Sequence, residues 1–443
     1  MPAILSFRST PRRKLRLLPL LAATYFMVAG GPYGLEDIIG KAGYGWALII
    51  LAVLPFFWSL PTALMIGELA ACVPEEGGFY AWVRRALGPF WGFQEAWLSL
   101  AASVFDMAIY PTLFVTYLGQ LAPSFTSGHR GLAIELGVVL IAMLWNLRGA
   151  VSVGEGSVLM WIVGLSPFAV LIVAAVRVGM HHAHAALGTA TVQRDLAGAM
   201  IVAMWNYMGW DNASTIAGEV DDPQRTYPRV MLLAGLMTML TYTVPVAAVW
   251  FAGIAPERFV TGAWVDAGRT LLGPVLALAI VATGAMDNLG TFNALTMSYT
   301  RLPYALARDG LLPGIFARRL SNGVPWVALV ACATGWALAL GLPFERLITI
   351  DLVLWGMSVL LEFIALVVLR VREPGLLRPF RVPGPTWIAV VLGVGPALLV
   401  VFALWVSRTE RTAGMPAMVF ALLIAAAGLP LFGLVRLRLS NHR

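Results

Sequence analysis

Five carboxylates sit in or against apolar runs. Glu36 and Asp37 close a glycine-rich stretch, Val28-Ala29-Gly30-Gly31-Pro32-Tyr33-Gly34, that interrupts the first run. Asp106 and Asp287 lie inside long apolar segments. Asp211 lies in a second polar interruption, Trp205-Asn206-Tyr207-Met208-Gly209-Trp210-Asp211-Asn212. An ionised side chain in hydrocarbon is costly unless paired or hydrated, so acids in such runs are functional candidates. No Lys or Arg within the runs obviously pairs with them. An excess of buried negative charge suits a cationic solute, a coupling proton, or both. For Glu36 and Asp37 a plainer reading competes: they sit at the outer interface and only accept hydrogen bonds.

The two interruptions must themselves be explained. Three glycines and a proline in seven residues will not hold a regular helix. In the second stretch a glycine, two amides and a carboxylate occupy an otherwise apolar run. Irregular backbone at membrane depth survives only where it is buried in protein or lines a cavity. Gly30 and Gly209 are 179 residues apart, about five spans. Broken helices at corresponding places in two halves point to a transporter built from inverted repeats. Their free N–H and C=O groups bind ions or polar solutes without importing full charges. The simpler alternative is close helix packing at small residues.

Composition requires a membrane to hold these segments. The chain has 443 residues, 59% hydrophobic and 12% charged, with a mean hydropathy of +0.81. Soluble domains carry roughly 25% charged residues, so too little polar surface remains here to coat a globule. Each crossing needs about 20 apolar residues, which predicts about twelve spans, near 17–40, 44–70, 91–123, 131–147, 152–178, 196–219, 228–253, 272–302, 325–342, 346–371, 385–407 and 415–437. An even count puts both termini on one side. That side collects Arg8, Arg12, Arg13, Lys14 and Arg16; Arg84 and Arg85; Arg148; Arg225 and Arg229; Arg301, Arg308, Arg318 and Arg319; Arg370, Arg372, Arg378 and Arg381; and Arg436, Arg438 and Arg443, 21 of the 30 Lys and Arg. The positive-inside rule makes it the cytoplasm of a multi-pass cell-membrane protein.

Other chemistries find less support. The net charge of +7 is spread over the ends of apolar runs, which argues against nucleic acid as a partner. Cys72 and Cys332 have no CxxC spacing and read as small core residues. His181, His182 and His184 share one loop without a nearby Cys or acid, so a solvated loop is expected rather than a metal site. The basic N-terminus followed by an apolar run from Leu17 resembles a signal peptide, but the run continues into the first interruption and is expected to be retained. Gly40-Lys41 is followed by Ala42 rather than Ser or Thr, so it is no phosphate-binding loop. No histidine lies within the spans to serve a membrane-embedded enzyme, and a channel or receptor has no need of paired breaks.

Several of these stretches, in order, resemble the amino acid–polyamine–organocation superfamily, and in particular its polyamine-uptake branch. They are Val28 to Asp37, Trp58-Ser59-Leu60-Pro61, Glu68-Leu69-Ala70, Pro74-Glu75-Glu76-Gly77-Gly78-Phe79-Tyr80, Ala86-Leu87-Gly88-Pro89-Phe90-Trp91-Gly92-Phe93 and Asp106-Met107-Ala108-Ile109-Tyr110-Pro111. Trp205-Asn206, Gly209-Trp210-Asp211, Gly218-Glu219-Val220 and Thr226-Tyr227-Pro228 follow, and Ala307-Arg308-Asp309-Gly310-Leu311-Leu312-Pro313 is a looser match. The resemblance implies an all-α, LeuT-like fold: a tail over 1–16, a first inverted repeat over 17–180, a second over 190–371, accessory helices over 385–437 and a tail over 438–443. It also implies alternating access around a site between spans one, three, six and eight, with drive from an ion gradient or exchange.

One departure bears on the solute. Amino-acid carriers of this superfamily usually have a Gly-Ser/Thr-Gly turn whose N–H groups bind the substrate carboxylate. Here it reads Gly30-Gly31-Pro32, and proline donates no N–H. That favours an organic amine over a zwitterion. The expected substrate residues are Gly30, Gly31, Tyr33, Glu36, Asp106, Tyr110, Tyr207, Trp210 and Asp211, the aromatics stacking on an alkylammonium. Asp211 and Asp287 are the expected proton carriers, since span five offers no buried Lys. No cofactor is expected. A transmembrane proton gradient is the expected drive, with sodium the alternative, and an amino-acid permease or exchanger of the same fold is the rival function. The sequence does not set the oligomeric state.

Overall fold

The computed structural model describes residues 14–181, 194–342, 344–409, 411–412 and 414–440. His182 and His184, the basic residues Arg8, Arg12 and Arg13, and Arg443 lie outside them. The chain runs through α1 (Leu17–Val28), α2 (Glu36–Phe57), α3 (Ser59–Cys72), α4 (Phe79–Leu87), α5 (Pro89–Gly119), a short α6 (Pro123–Thr126), α7 (His129–Asn146) and α8 (Ala150–His181). It continues through α9 (Leu196–Asn206), a 3-10 segment (Trp210–Glu219), α10 (Pro223–Phe251), α11 (Trp264–Leu272), α12 (Pro274–Tyr299) and α13 (Arg301–Arg308). Last come α14 (Trp326–Ala337), α15 (Phe344–Arg372), α16 (Thr386–Val406), the two-residue strands β1 (Arg411–Thr412) and β2 (Met415–Pro416), paired antiparallel, and α17 (Ala417–Ser440).

Among the described residues nine helices are long and apolar enough to cross a membrane, with Leu17–Val28 and Trp326–Ala337 as shorter apolar ones. Leu140, Leu144, Leu159, Ile162, Leu398 and Leu423 are exposed on the outside of the bundle. Apolar surface on that scale reads as lipid-facing. Three of the twelve expected spans fall short of spanning length. Two do so because the chain is interrupted: α1 stops at Val28, and α9 stops at Asn206. The third, α14, is a plain 12-residue helix.

Glycines set where helices stop and turn. Gly30 (φ +61°) and Gly31 (φ +129°) end α1, and the helix restarts at Glu36. Gly43 (φ +73°) then turns the chain inside α2, so residues 36–42 form a short segment distinct from the long helix that follows. Gly209 (φ +87°) separates α9 from the 3-10 segment. Four of the interrupted elements interlock. α1 packs against α8, α10 and α12, α9 packs against α2, and the backbone of Leu15 pairs with Glu219 and Asp221, tying the entrance of α1 to the exit of the 3-10 segment.

Arginine stays out of the apolar interior except where it is matched. Arg370 is fully buried near the end of α15 and pairs with the equally buried Glu68 of α3 through its Nε at 2.8 Å and its Nη2. Arg378 approaches the same carboxylate at 3.3 Å, and the Val382 N–H donates to it at 2.7 Å. Arg85 of α4 donates two hydrogen bonds to Glu373, and that contact holds the Glu373 carboxyl below its usual range. Removing one partner of a buried, hydrogen-bonded pair strands the other's charge, at a cost of about 3–5 kcal/mol. Glu68→Gln is therefore expected to lower Tm clearly in detergent-solubilised protein, measured by thermal unfolding. An unchanged Tm would show that Arg370 does not depend on Glu68.

Candidate substrate site at the helix breaks

The two breaks meet. A Cβ placed on Gly209 would lie 2.5 Å from the Met27 carbonyl oxygen, and one on Gly34 would lie 3.3 Å from the Trp205 ring. Only glycine permits either approach. The Asn206 amide donates to the Gly34 carbonyl at 3.3 Å. The Tyr242 hydroxyl, from α10, sits 2.8 Å from the Asn206 carbonyl and 3.4 Å from the Ala29 carbonyl. It therefore reaches one free carbonyl at the end of each broken helix, groups that have no partner within their own helix.

A cavity of about 20 Å³ opens at this junction, room for roughly one water molecule. Met27, Val28 and Ala29 wall one side, and Trp205, Asn206, Met208 and Gly209 another. Asp106 and Tyr110 reach it from α5, and Thr291 and Tyr299 from α12. Asp106 and Tyr110 are one turn apart, which puts them on the same face. The Tyr110 hydroxyl donates to Asp106 at 2.8 Å and the Tyr299 hydroxyl at 3.1 Å. The Tyr110 and Trp205 rings lie 6.2 Å apart and 30° from parallel, forming an aromatic wall beside the carboxylate.

Asp287 flanks the first break from α12, one turn before Thr291. A Cβ on Gly31 would lie 3.0 Å from each Asp287 oxygen, and one on Gly30 would lie 2.3 Å from Thr291 Oγ1. Glycine at both positions lets the unwound backbone touch the carboxylate. Among the described residues no hydrogen-bond donor reaches Asp287.

The remaining expected site residues are placed elsewhere. Glu36 is fully buried and accepts from the Gly34 N–H at 2.8 Å, from the Gly262 N–H at 3.1 Å and from the Tyr117 hydroxyl. Asp37 accepts from the Thr261 N–H and hydroxyl at 3.1 and 2.9 Å. Both acids thus tie the restart of helix one to the segment before α11. Tyr33 packs edge-on against Tyr117 and Phe168, with its hydroxyl 2.8 Å from Thr283 Oγ1. The Tyr207 hydroxyl donates to the Leu51 carbonyl, and the Trp210 indole donates to the Tyr207 carbonyl. Asp211 accepts from the Trp355 indole at 2.9 Å. Glu36, Tyr33, Tyr207, Trp210 and Asp211 do not line the cavity.

A family model described as amino acid permease matches residues 21–427. The chain belongs to the amino acid permease family. A probable polyamine transporter of Arabidopsis thaliana is 35% identical to it over 406 residues, 90% of this chain and 84% of the relative. A polyamine transporter of Oryza sativa subsp. japonica is 33% identical over 401 residues, 90% of this chain and 75% of the relative. A serine/threonine exchanger of Bacillus subtilis is 24% identical over 390 residues, 84% of this chain and 85% of the relative. Permeases move solutes rather than transform them, so the chain is a multi-pass membrane transporter and not an enzyme.

Several polar residues of this permease's interior, some at the cavity and some away from it, are not singled out by the sequence. Trp205 and Asn206 were quoted as part of a break, but their place in the cavity wall depends on where Gly209 turns the chain. Tyr299 and Thr291 carry no charge and look like ordinary polar residues of a long helix. Glu95, Asp351 and Glu362 are fully buried acids that the intramembrane-acid rule itself would have found.

Glycine at position 31 is doubly required, by its φ and by Asp287. An alanine there carries strain on the order of 1–2 kcal/mol plus the contact with the carboxylate. Gly31→Ala is expected to reduce substrate uptake by about tenfold. Gly45→Ala, at a helical position with nothing within 4 Å of the added Cβ, should leave uptake unchanged. Equal uptake by both variants would remove Gly31 from the site.

Proposed function

We propose that this permease imports polyamines or related organic amines in company with protons, by alternating access at the meeting point of the two breaks. Carrying the substrate reading is one observation: Asp106 and Asp287 flank the first break, and the buried arginines, Arg301 and Arg370, are spent on Glu219 and Glu68 elsewhere. An alkylammonium would satisfy both acids, with Tyr110 and Trp205 offering their faces to it. The backbone at the break is poorly furnished for a carboxylate. Pro32 has no N–H, the Gly30 N–H is engaged by the Tyr25 carbonyl at 3.2 Å, and the Gly34 N–H by Glu36. The plant relatives named as polyamine transporters support the same class. The bacterial exchanger favours a second reading, exchange of small amino acids.

Twelve crossings in two inverted repeats, 17–180 and 190–371, with accessory helices over 385–437, fit the chain. Leu87-Gly88-Pro89 joins the amphipathic α4 to α5, and Leu272-Gly273-Pro274 joins the amphipathic α11 to α12. Each glycine has positive φ, +95° and +82°, and each proline opens the long helix. The segments before these short helices also do matching work. Gly77 donates to the Thr215 carbonyl in the distal half of helix six, and Gly262 donates to Glu36 in the distal half of helix one. The ion pairs Arg301–Glu219, Arg319–Glu76, Arg84–Asp309 and Arg370–Glu68 lie on the side that collects most of the arginines, which supports cytoplasmic termini.

The cavity is far smaller than a polyamine, so solute enters only when the half-helices separate. Asp287 lies against the first break and Asp211 follows the second, so we assign proton coupling to these two. Putrescine and spermidine are expected to compete for uptake in proteoliposomes, with neutral and basic amino acids ineffective. Amino-acid competition without polyamine competition would favour the exchanger reading. Asp106→Asn and Asp287→Asn should each lower polyamine uptake by about tenfold or more at unchanged expression. A strict sodium requirement, indifferent to pH gradient, would refute proton coupling.

A further inference from the structure

A polar seam runs between α5 and α15 beyond the central cavity. On α15, Asp351, Trp355, Ser358 and Glu362 follow the 4-3-4 spacing that puts them on one helical face, and all are buried. On α5, Glu95, Ser99, Ser103 and Asp106, at 4-4-3 spacing, also share one buried face. The two faces touch: the Ser358 hydroxyl donates to Glu95 Oε1, and the Ser99 and Ser358 hydroxyls lie 2.9 Å apart. Trp355 joins the seam to Asp211. Asp211 lies within electrostatic reach of Glu95, Asp351 and Glu362, and Asp106 within reach of Asp351.

Three of these acids lack compensation. Both carboxylate oxygens of Asp351, both of Glu362, and Oε2 of Glu95 are buried without a hydrogen-bond partner. Among the described residues no cation answers them. Arg370, about two turns beyond Glu362, is spent on Glu68 from α3, and Arg85 of α4 on Glu373. The sequences of α9 and α16 contain no charged residue. α17 meets α5 beside the seam, where its Ala425 and Ile424 carbonyls accept from Gln94 and Trp97, and its Arg436 is exposed. A buried carboxylate without donors or a cation is tolerable only when neutralised. The seam is closely packed, so the neutralising species must be the smallest one.

We propose that Glu362, together with Glu95 across the seam, is a proton-binding site separate from the substrate cavity, connected to it through Asp211 and Asp351. In each cycle one proton from outside binds a carboxylate oxygen as an O–H and leaves to the cytoplasmic side. No other bond changes. This rests on the proton-linked reading above. Ser358, one turn before Glu362 on α15, donates to Glu95, which sets the two acids on facing helices of one seam.

The test uses the full-length protein in proteoliposomes with radiolabelled putrescine. For wild type, an inward proton gradient should accelerate uptake. Glu362→Gln and Glu95→Gln should each cut that acceleration by about tenfold, while putrescine counterflow at equal pH stays within about threefold of wild type. Full acceleration in both variants would overturn the seam site and leave proton-linked transport standing. Wild-type uptake indifferent to the gradient would overturn both. Wild-type protein offers a second measurement that needs no variant and no known solute. Dicyclohexylcarbodiimide, which attacks protonated carboxyls in apolar surroundings, should form adducts on Glu362 or Glu95 in peptide mapping, whereas adducts confined to other acids would overturn the assignment.

Discussion

A carboxylate removed from water must find donors, a cation or a proton, and this requirement organises the permease interior. Glu36 has found three donors and holds a half-helix in place. Glu68 has found two arginines and a backbone N–H. Asp106 has two tyrosine hydroxyls, and Asp211 has an indole and backbone N–H groups of its own turn. Asp287, Asp351 and Glu362 have none among the described residues. The range from satisfied to unsatisfied acids follows the division we propose between scaffold and machinery. Acids that are fully engaged fasten elements together, and acids that are not lie beside the breaks or along the α5–α15 seam.

The backbone arrangement follows from the same requirement. A continuous first helix would keep its carbonyls to itself, whereas the unwound position 31 lies so close to Asp287 that any Cβ would meet the carboxylate. Unwinding through Gly30 and Gly31 brings bare peptide to the carboxylate and frees helix-end groups inside the bundle. The cost is a set of unpaired carbonyls and a stretch with no regular packing. Interlocking the two breaks offsets it: Gly209 nests on Met27, Asn206 reaches Gly34, and Trp264 donates to the Pro32 carbonyl at 2.6 Å.

Much of this was legible in the chain. The break at Gly30-Gly31-Pro32 was readable because glycine and proline act locally, and Asp106 with Tyr110 because a regular helix fixes which residues share a face. Tyr207 and Trp210 were misplaced for the opposite reason. They flank Gly209, where the left-handed turn removes any periodicity from which to infer direction, and the Tyr207 hydroxyl turns to α2 instead of the cavity. Glu36 was readable as an acid that only accepts hydrogen bonds, the plainer of its two readings, but its donors Tyr117 and Gly262 come from distant segments and were not. Glu95, Asp351 and Glu362 were lost because hydropathy averaged over a long run absorbs single acids. The 351-355-358-362 spacing carried the signal in plain sight, but the facing serine on α5 required the fold. The short α14 was unreadable because apolar flanks extend its run without extending its helix.

The hydroxyl of Tyr242 carries a further consequence. One phenol stands between the Ala29 and Asn206 carbonyls and has a single hydrogen to give. As either half-helix swings away, that hydrogen can follow only one of them, and if both swing together each loses its share of the contact. In the proposed alternating-access cycle the residue would act as an interlock of the kind fitted to paired doors. Opening toward one face would leave the other latch engaged, whereas simultaneous opening, the state through which ions would leak, would strand two carbonyls in a dry interior.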